Sequence, residues 1–320
     1  MPVVKVYRNG SKAVYFGDNT GGDPPTDSVR GEIAGWSPDA ARRNTLFLMS
    51  VATERLTGSG FAYTLTMRET PGSSEEYLAA MEFWRKAVMR SGAIRLHWVV
   101  EWQTRGTPHV HCAVYYPEGA TVAQRDAPAE AWFRYFRRWG VGAQAQYYTE
   151  IDRAVGWLKY MAKHAARGAM HYQRVGFPEG WDKSGRLWGH RGAWPIGDLD
   201  EFELSDVEFV RFRRLVSAYR VAQERALSLG RKPRTRRAQP GDARKDYARR
   251  AQRVPENARM WQLGVSTWID RDAALLLVWG STDRGRRFEV HTLYTPESLA
   301  ERVRRYSASR VRIAVGQPVG

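Results

Sequence analysis

The hydrophobic positions along the chain switch repeatedly between an extended and a helical period. Apolar, β-branched and aromatic residues fill four short segments, which predicts strands, whereas apolar residues three to four positions apart predict helices. The predicted strands cover residues 61–67, 95–102, 109–116 and 145–148. The predicted helices cover residues 37–56, 73–92, 127–139, 150–167 and 205–230.

The order of these elements predicts the fold class. Between residues 61 and 148 it is β-α-β-β-α-β, followed by a further helix, which is typical of a ferredoxin-like or RRM-like antiparallel sheet with flanking helices. Residues 258–320 show a shorter β-β-β-α-β pattern, with its helix beginning at Thr295. We therefore expect an α+β protein with a small C-terminal α+β domain.

Composition marks a linker in the second half of the chain. Residues 231–253 hold ten lysine and arginine residues against two aspartates and almost no apolar side chains. Two interpretations stay open: a solvated tether between domains, or an arm that follows DNA phosphates. The expected organisation is an N-terminal extension over 1–29, a central domain over 30–200, a helix over 201–230, a basic linker over 231–256 and a C-terminal domain over 257–320.

Charge narrows the class of partner. The chain has 50 lysine and arginine residues against 34 aspartate and glutamate residues, a net charge of +16, which is typical of a protein that binds nucleic acid. No apolar run approaches the roughly 20 residues that span a bilayer, so we expect no membrane partner and a cytoplasmic location. The single cysteine, Cys112, excludes a disulfide scaffold and a cysteine-based zinc site.

Two histidines and a glutamate flank a tight turn between the second and third predicted strands. His109 and His111 are two residues apart and share a strand face, and hairpin pairing can bring Glu101 to the same face. Two imidazoles and a carboxylate suit Mn²⁺ or a related divalent ion and leave positions open for a phosphate. Gln103 shares the strand parity of Glu101 and stays an alternative third ligand. His97 also has this parity; we expect it to be exposed, and a position supporting the metal ligands stays the alternative.

The helix predicted at residues 150–167 carries a tyrosine away from its apolar side. Tyr160 lies about 180° from Ile151 on the helical wheel, and Lys163 follows one turn later. A tyrosine and a lysine in this arrangement suit phosphoryl transfer, as nucleophile and charge-stabilising group. Tyr147 and Tyr148, at a strand end, are rival nucleophiles.

Together these pieces resemble a known family. Glu-x-Gln-x-Arg-Gly-x-Pro-His-x-His at residues 101–111, followed by Tyr-x-x-Lys at 160–163, resembles the HUH endonucleases. Within them the chain is most similar to the single-tyrosine rolling-circle replication initiators of bacterial filamentous phages and plasmids. The resemblance covers residues 30–195 and includes the lead-in at 30–33, the strand at 61–66 and the stretch at 185–189.

The resemblance implies a metal-dependent, site-specific endonuclease that cuts single-stranded DNA at a replication origin. Glu101, His109 and His111 would hold Mn²⁺ or Mg²⁺. Tyr160 would attack the scissile phosphate and form a 5′-phosphotyrosine, while Lys163 would orient the phosphate. Expected partners are origin DNA and the host helicase and polymerase. Candidate DNA contacts on the matched stretches are Thr64, Thr66, Arg105, Arg186 and Trp188.

Two other classes of function stay open. A basic ferredoxin-like sheet also suits a non-catalytic RRM-like protein that binds nucleic acid, although the aromatic-rich RRM signature is missing and such a protein needs no metal ligands. A metal hydrolase that uses the His-x-His pair is the second class, although such enzymes usually place further histidines and aspartates at their sites.

Overall fold

The computed structural model describes residues 2–15, 35–166, 178–229 and 266–282. The chain divides into two compact units: Asp23–Gly197 forms one, and Met1–Gly22 together with Asp198–Gly320 forms the other. The predicted lead-in at residues 30–33, the basic linker and the helix expected from Thr295 lie outside the described residues.

Nine strands and six α-helices form within the described residues. The strands are β1 (Pro2–Tyr7), β2 (Gly10–Tyr15), β3 (Ser59–Leu65), β4 (Arg95–Trp102), β5 (Pro108–Tyr116), β6 (Tyr147–Glu150), β7 (Trp188–Gly192), β8 (Asp200–Glu203) and β9 (Ser266–Trp268). The helices are α1 (Pro38–Ser50), α2 (Ser74–Arg90), α3 (Val122–Phe136), α4 (Ala154–Ala166), α5 (Asp206–Leu229) and α6 (Arg271–Ser281). Over the described ranges, no helix combines the length and the apolar character that crossing a membrane requires.

Five strands of the unit Asp23–Gly197 form an antiparallel sheet in the order β6-β3-β5-β4-β7. The chain order β3-α2-β4-β5-α3-β6 is the predicted β-α-β-β-α-β, and its four strands lie side by side as fourth, first, third and second. β7 adds a fifth strand beside β4. The α+β, ferredoxin-like fold class is therefore confirmed.

Capping residues fix where the helices of this unit begin. Ser37 and Ser73 accept backbone hydrogen bonds at the starts of α1 and α2, as their sequence positions predict. α3 begins at Val122, earlier than predicted, because Thr121 and Gln124 form a reciprocal capping box.

α2 and α3 pack together around two buried tryptophans. The rings of Trp84 and Trp132 meet edge to face at 5.8 Å, and Trp132 stacks on Phe136 at 3.7 Å. Each indole N–H donates to a backbone carbonyl, Trp84 to that of Pro128 and Trp132 to that of Thr66. The two large side chains are therefore buried without losing their hydrogen bonds.

The other unit contains a four-stranded sheet in the order β8-β1-β2-β9. The N-terminal residues, expected to be an extension, form the β1–β2 hairpin, which pairs with β8 and with β9. α6 occupies Arg271–Ser281, where the predicted β-β-β-α-β pattern places strands, so that detail of the prediction is wrong. The short apolar run 273–279 fits either period, and Asp270 favours the helix because its carboxylate accepts from the Ala273 N–H.

Substitution of two neighbouring aromatic residues of α3 tests the packing of α2 against α3. Trp132 has no exposed surface, whereas the side chain of Phe133 is 49% exposed. We expect Trp132→Ala to lower the free energy of unfolding by about 3–5 kcal/mol, and Phe133→Ala by less than about 1 kcal/mol. Chemical denaturation of both variants measures the difference, and equal losses would contradict the packing described.

Candidate active site

The candidate site is built on the tight hairpin between β4 and β5. Two backbone hydrogen bonds of 2.8 Å close the turn, from the Gln103 N–H to the Thr107 carbonyl and from the Gly106 N–H to the Gln103 carbonyl. Gly106 has a φ of +82°, a left-handed conformation that glycine adopts without steric cost. The turn therefore holds the two strands in one register.

This register brings Glu101, His109 and His111 to one face of the sheet. Glu101 lies directly opposite His109, and Val99 lies opposite His111, so the three side chains project together. The two histidine Nε2 atoms are 2.9 Å apart. Glu101 Oε2 is 3.9 Å from the Nε2 of His109 and 3.7 Å from that of His111. All three residues are buried.

The three side chains fit a divalent cation. Their ligand atoms all lie within 4.8 Å of one another. Within the described ranges, these three residues are the group of histidine, cysteine and acidic side chains that could hold a metal ion. Neighbouring ligands of an octahedral ion at about 2.1 Å lie about 3.0 Å apart, close to the separation of the two imidazole nitrogens. Gln103, the alternative third ligand, closes the turn through its backbone, whereas the Glu101 carboxylate faces both imidazoles.

Thr64 holds the ring of His111 in place. The two residues are opposite each other in β3 and β5, and Thr64 Oγ1 is 3.1 Å from His111 Nδ1. In the tautomer with its proton on Nδ1, the ring donates to the threonine hydroxyl and directs the Nε2 lone pair at the cluster. Thr64, expected to contact DNA, thus supports the cluster. Thr66, two residues on, accepts from the Trp132 indole through its carbonyl.

α4 brings Tyr160 to the edge of the cluster. Leu158 and Met161 are buried and anchor the helix, while Tyr160 is 40% exposed. The ring centroid of Tyr160 is 5.8 Å from that of His111, with an interplanar angle of 87°. Trp157 stacks on Tyr160 at 5.1 Å and was not predicted as part of the site. The spacing of these two aromatic residues, three positions apart on one helix, was the signal that could have indicated the contact. The phenol ring is therefore held beside the imidazoles and remains accessible to a substrate.

Lys163, Tyr147 and Tyr148, the other residues predicted to take part in phosphoryl transfer, lie on α4 and β6. Lys163 lies in α4 one turn after Tyr160, and its side chain is outside the described part of the structure. Tyr148 faces α3, where the guanidinium of Arg125 lies 5.1 Å from its ring centre. Tyr147 lies opposite Thr64 on the face of the cluster. Among the tyrosines that the structure describes, Tyr160 is the one whose ring contacts a histidine of the cluster.

The other expected DNA contacts differ in their surroundings. Arg105 donates to the Met67 carbonyl at 2.6 Å and to Thr107 Oγ1 at 3.0 Å, which ties the hairpin turn to the end of β3. Arg186 is exposed. Trp188 is half-buried at the start of β7, opposite Val99, and so shares the face of the cluster.

His97 is buried, and the expectation of exposure is wrong. Only 1% of it is exposed, its Nε2 is 2.8 Å from Asn44 Oδ1, and its ring stacks on Phe47 at 5.7 Å. Both partners lie on α1, whose position over this face cannot be read from strand parity. Burial lowers the pKa of His97 to about 3, with a smaller contribution from His190, so the ring is neutral.

Comparisons with known proteins identify the family of this chain. Residues 60–166 match the family model of the replication-associated protein ORF2/G2P. A protein of Xylella fastidiosa strain 9a5c, described as a replication protein, is 39% identical over 299 residues, which is 89% of this chain and 98% of that protein. The chain belongs to the ORF2/G2P replication-associated protein family.

Two further relatives cover most of this ORF2/G2P protein. One, from Xylella fastidiosa strain Temecula1 and also described as a replication protein, is 43% identical over 239 residues, 70% of this chain and 87% of its own length. The replication-associated protein G2P of Pseudomonas phage Pf3 is 33% identical over 262 residues, 81% of this chain and 90% of its own length. The family match runs from β3 to the end of α4 and therefore contains the cluster and Tyr160.

Replacing Thr64 tests the support of the cluster in this ORF2/G2P protein. Thr64→Val removes the hydroxyl beside His111 Nδ1, and losing such a contact typically weakens metal binding by about 10–100-fold. Thr66→Val, the matched control two residues along, should bind Mn²⁺ like the wild type. Calorimetric titration with Mn²⁺ measures both, and equal affinities would contradict the role of Thr64.

The buried His97 makes the stability of this ORF2/G2P protein depend on pH. Because its folded pKa lies below the usual 6.5, the unfolded chain binds a proton that the folded chain does not, and stability falls as the pH drops below 6.5. From pH 6.5 to 5, the wild type should lose about 1.6 kcal/mol more unfolding free energy than His97→Phe. Denaturation curves at both pH values measure this, and identical losses would contradict a neutral, buried ring.

Proposed function

We propose that this chain is a metal-dependent, site-specific endonuclease and strand transferase that nicks single-stranded DNA and initiates rolling-circle replication. The observation that carries the proposal is the ring of Tyr160 beside the buried cluster of Glu101, His109 and His111. A tyrosine hydroxyl next to metal ligands suits attack on a phosphodiester. Membership of a replication-associated family supports the same role.

Tyr160 is the proposed nucleophile. Its phenolic oxygen loses its proton to solvent and bonds to the scissile phosphorus, the bond from phosphorus to the 3′ oxygen breaks, and that oxygen takes up a proton. The products are a free 3′-hydroxyl and a 5′-phosphate linked to Tyr160. Stacking of Trp157 and the contact with His111 restrict rotation of the phenol ring, which reduces the entropy lost when the reacting atoms meet.

Glu101, His109 and His111 are the residues that would hold Mn²⁺ or Mg²⁺. Such an ion, when bound, polarises the scissile phosphate as a Lewis acid and offsets the charge that develops there. With one carboxylate and two imidazoles as its ligands, a divalent ion would keep a net positive charge, which would attract a phosphate. Lys163, on the helix of Tyr160, would orient that phosphate.

The proposed substrate is single-stranded DNA at a replication origin in the cytoplasm of a bacterial host. The net charge of +16 supports a polyanionic partner. A free 3′-hydroxyl is what a polymerase extends, and continued synthesis needs strand separation, so the host polymerase and helicase are the proposed protein partners.

A covalent adduct tests this proposal. Incubation with labelled origin DNA and Mn²⁺ should give a protein–DNA adduct that survives denaturation. Tyr160→Phe should lose the adduct but still bind DNA, because it lacks only the hydroxyl. Tyr148→Phe, the matched control on the opposite face, should form adduct in wild-type yield.

The other outcomes of that experiment identify the competing functions. Cleavage without an adduct would indicate a metal hydrolase, and DNA binding without cleavage would indicate a non-catalytic RRM-like protein. A normal adduct from Tyr160→Phe would move the nucleophile to another tyrosine.

The cluster is tested separately from the nucleophile. His109→Ala and His111→Ala should each lower the cleavage rate by about 100-fold or more, as should chelation of the wild type. Glu101→Gln should have a milder effect that added metal partly rescues. A larger loss from Gln103→Ala than from Glu101→Gln would overturn the choice of third ligand, and full activity in excess chelator would overturn the metal requirement.

A further inference from the structure

A second tyrosine lies on the same face of the sheet as the candidate centre. Tyr147 begins the edge strand β6 directly opposite Thr64, and Thr64 is directly opposite His111 in β5. Because opposite residues of antiparallel strands share a face, the three side chains form one row from the sheet edge to the cluster. With neighbouring strands about 4.8 Å apart, Tyr147 lies about 10 Å from His111.

The ring of Tyr147 is open to solvent. Its exposed fraction is 65%, whereas Tyr63, on the neighbouring strand but facing the helices, is 1% exposed. An aromatic ring that exposed adds little to the packing of the sheet. Its place in the row beside Thr64 and the cluster instead makes the ring available to a ligand that reaches the candidate centre.

The backbone that carries Tyr147 is held firmly. The side-chain amide of Gln146, the preceding residue, accepts from the Thr66 N–H at 2.9 Å and donates to the carbonyls of Thr66 and Gly142 at 3.0 Å. These bonds join the start of β6 to the end of β3 and complete the ladder next to Tyr147. A ring on such a rigid element loses little freedom when a ligand stacks on it.

We propose that Tyr147 is a stacking platform for one base of the single-stranded DNA whose phosphate reaches the candidate centre, an inference that rests on the proposed function. Exposed aromatic rings on basic proteins hold single strands by stacking, with little dependence on sequence. The row ends at the site proposed to bind phosphate, and the chain carries a net charge of +16, so DNA is the occupant that fits. At about 3.4 Å per stacked nucleotide, the base lies within about three nucleotides of the reacting phosphate.

Tyr148 provides a matched control. It is the next residue in the chain and is also partly exposed, with 40% of its surface accessible to solvent. It faces the opposite side of the sheet, where its ring lies 6.0 Å from that of Tyr63 and is covered by Arg125. We therefore expect that removing the ring of Tyr147 weakens DNA binding and that removing the ring of Tyr148 does not.

Binding of DNA in a protein that cannot cleave it tests the platform. In a Tyr160→Phe background, anisotropy gives the affinity for origin DNA, and oligonucleotides with 2-aminopurine at successive positions report stacking through fluorescence quenching. We expect Tyr147→Ala to weaken binding about tenfold or more and to lose the quenching at one position near the cleavage site. Tyr147→Phe should keep both signals because the ring remains, and Tyr148→Ala should bind as tightly as the Tyr160→Phe parent.

Equal affinities and quenching patterns for Tyr147→Ala and Tyr148→Ala would overturn the platform. This result leaves the proposed function standing if the wild type forms the adduct. Failure of the wild type to form any adduct would instead overturn the proposed function itself.

Discussion

A shift of one residue in the pairing of β4 with β5 would turn Glu101 to the opposite face from His109 and His111, because neighbouring residues of a strand alternate in direction. The tight turn closed at Gly106 prevents that shift. The same register continues into β3, where Thr64 meets His111, and from β3 into β6. Strand pairing therefore sets the position of each side chain in the candidate centre.

The two faces of the five-stranded sheet have different roles. One face is covered by α2 and α3, whose buried Trp84 and Trp132 stabilise the fold. The other face carries the polar cluster, partly covered by α1 and approached by Tyr160 from α4. Polar groups are thus placed on strands that the opposite face makes rigid, which is the arrangement that precise positioning of metal ligands requires.

Local signals predicted much of this arrangement. The hairpin and the shared face of Glu101 with the histidines follow from the alternating strands, the tight turn and the His-x-His spacing. These signals could be read because each depends on residues close in sequence. The burial of His97 depends instead on α1 lying over the sheet, and the contact of Tyr160 with His111 depends on where α4 packs. The N-terminal hairpin pairs with β8 and β9, which lie about 200 and 260 residues further along the chain, and no local pattern encodes that pairing.

The identity of the atoms that surround a bound ion decides whether Glu101, His109 and His111 form a metal centre. Electron spin-echo envelope modulation of Mn²⁺ added to the protein detects nitrogen ligands, and isotopic labelling of histidine assigns them. We expect one Mn²⁺ with two histidine nitrogens, one of which is lost in His109→Ala and the other in His111→Ala. Bound Mn²⁺ without nitrogen modulation, or modulation that both substitutions leave unchanged, would contradict the account.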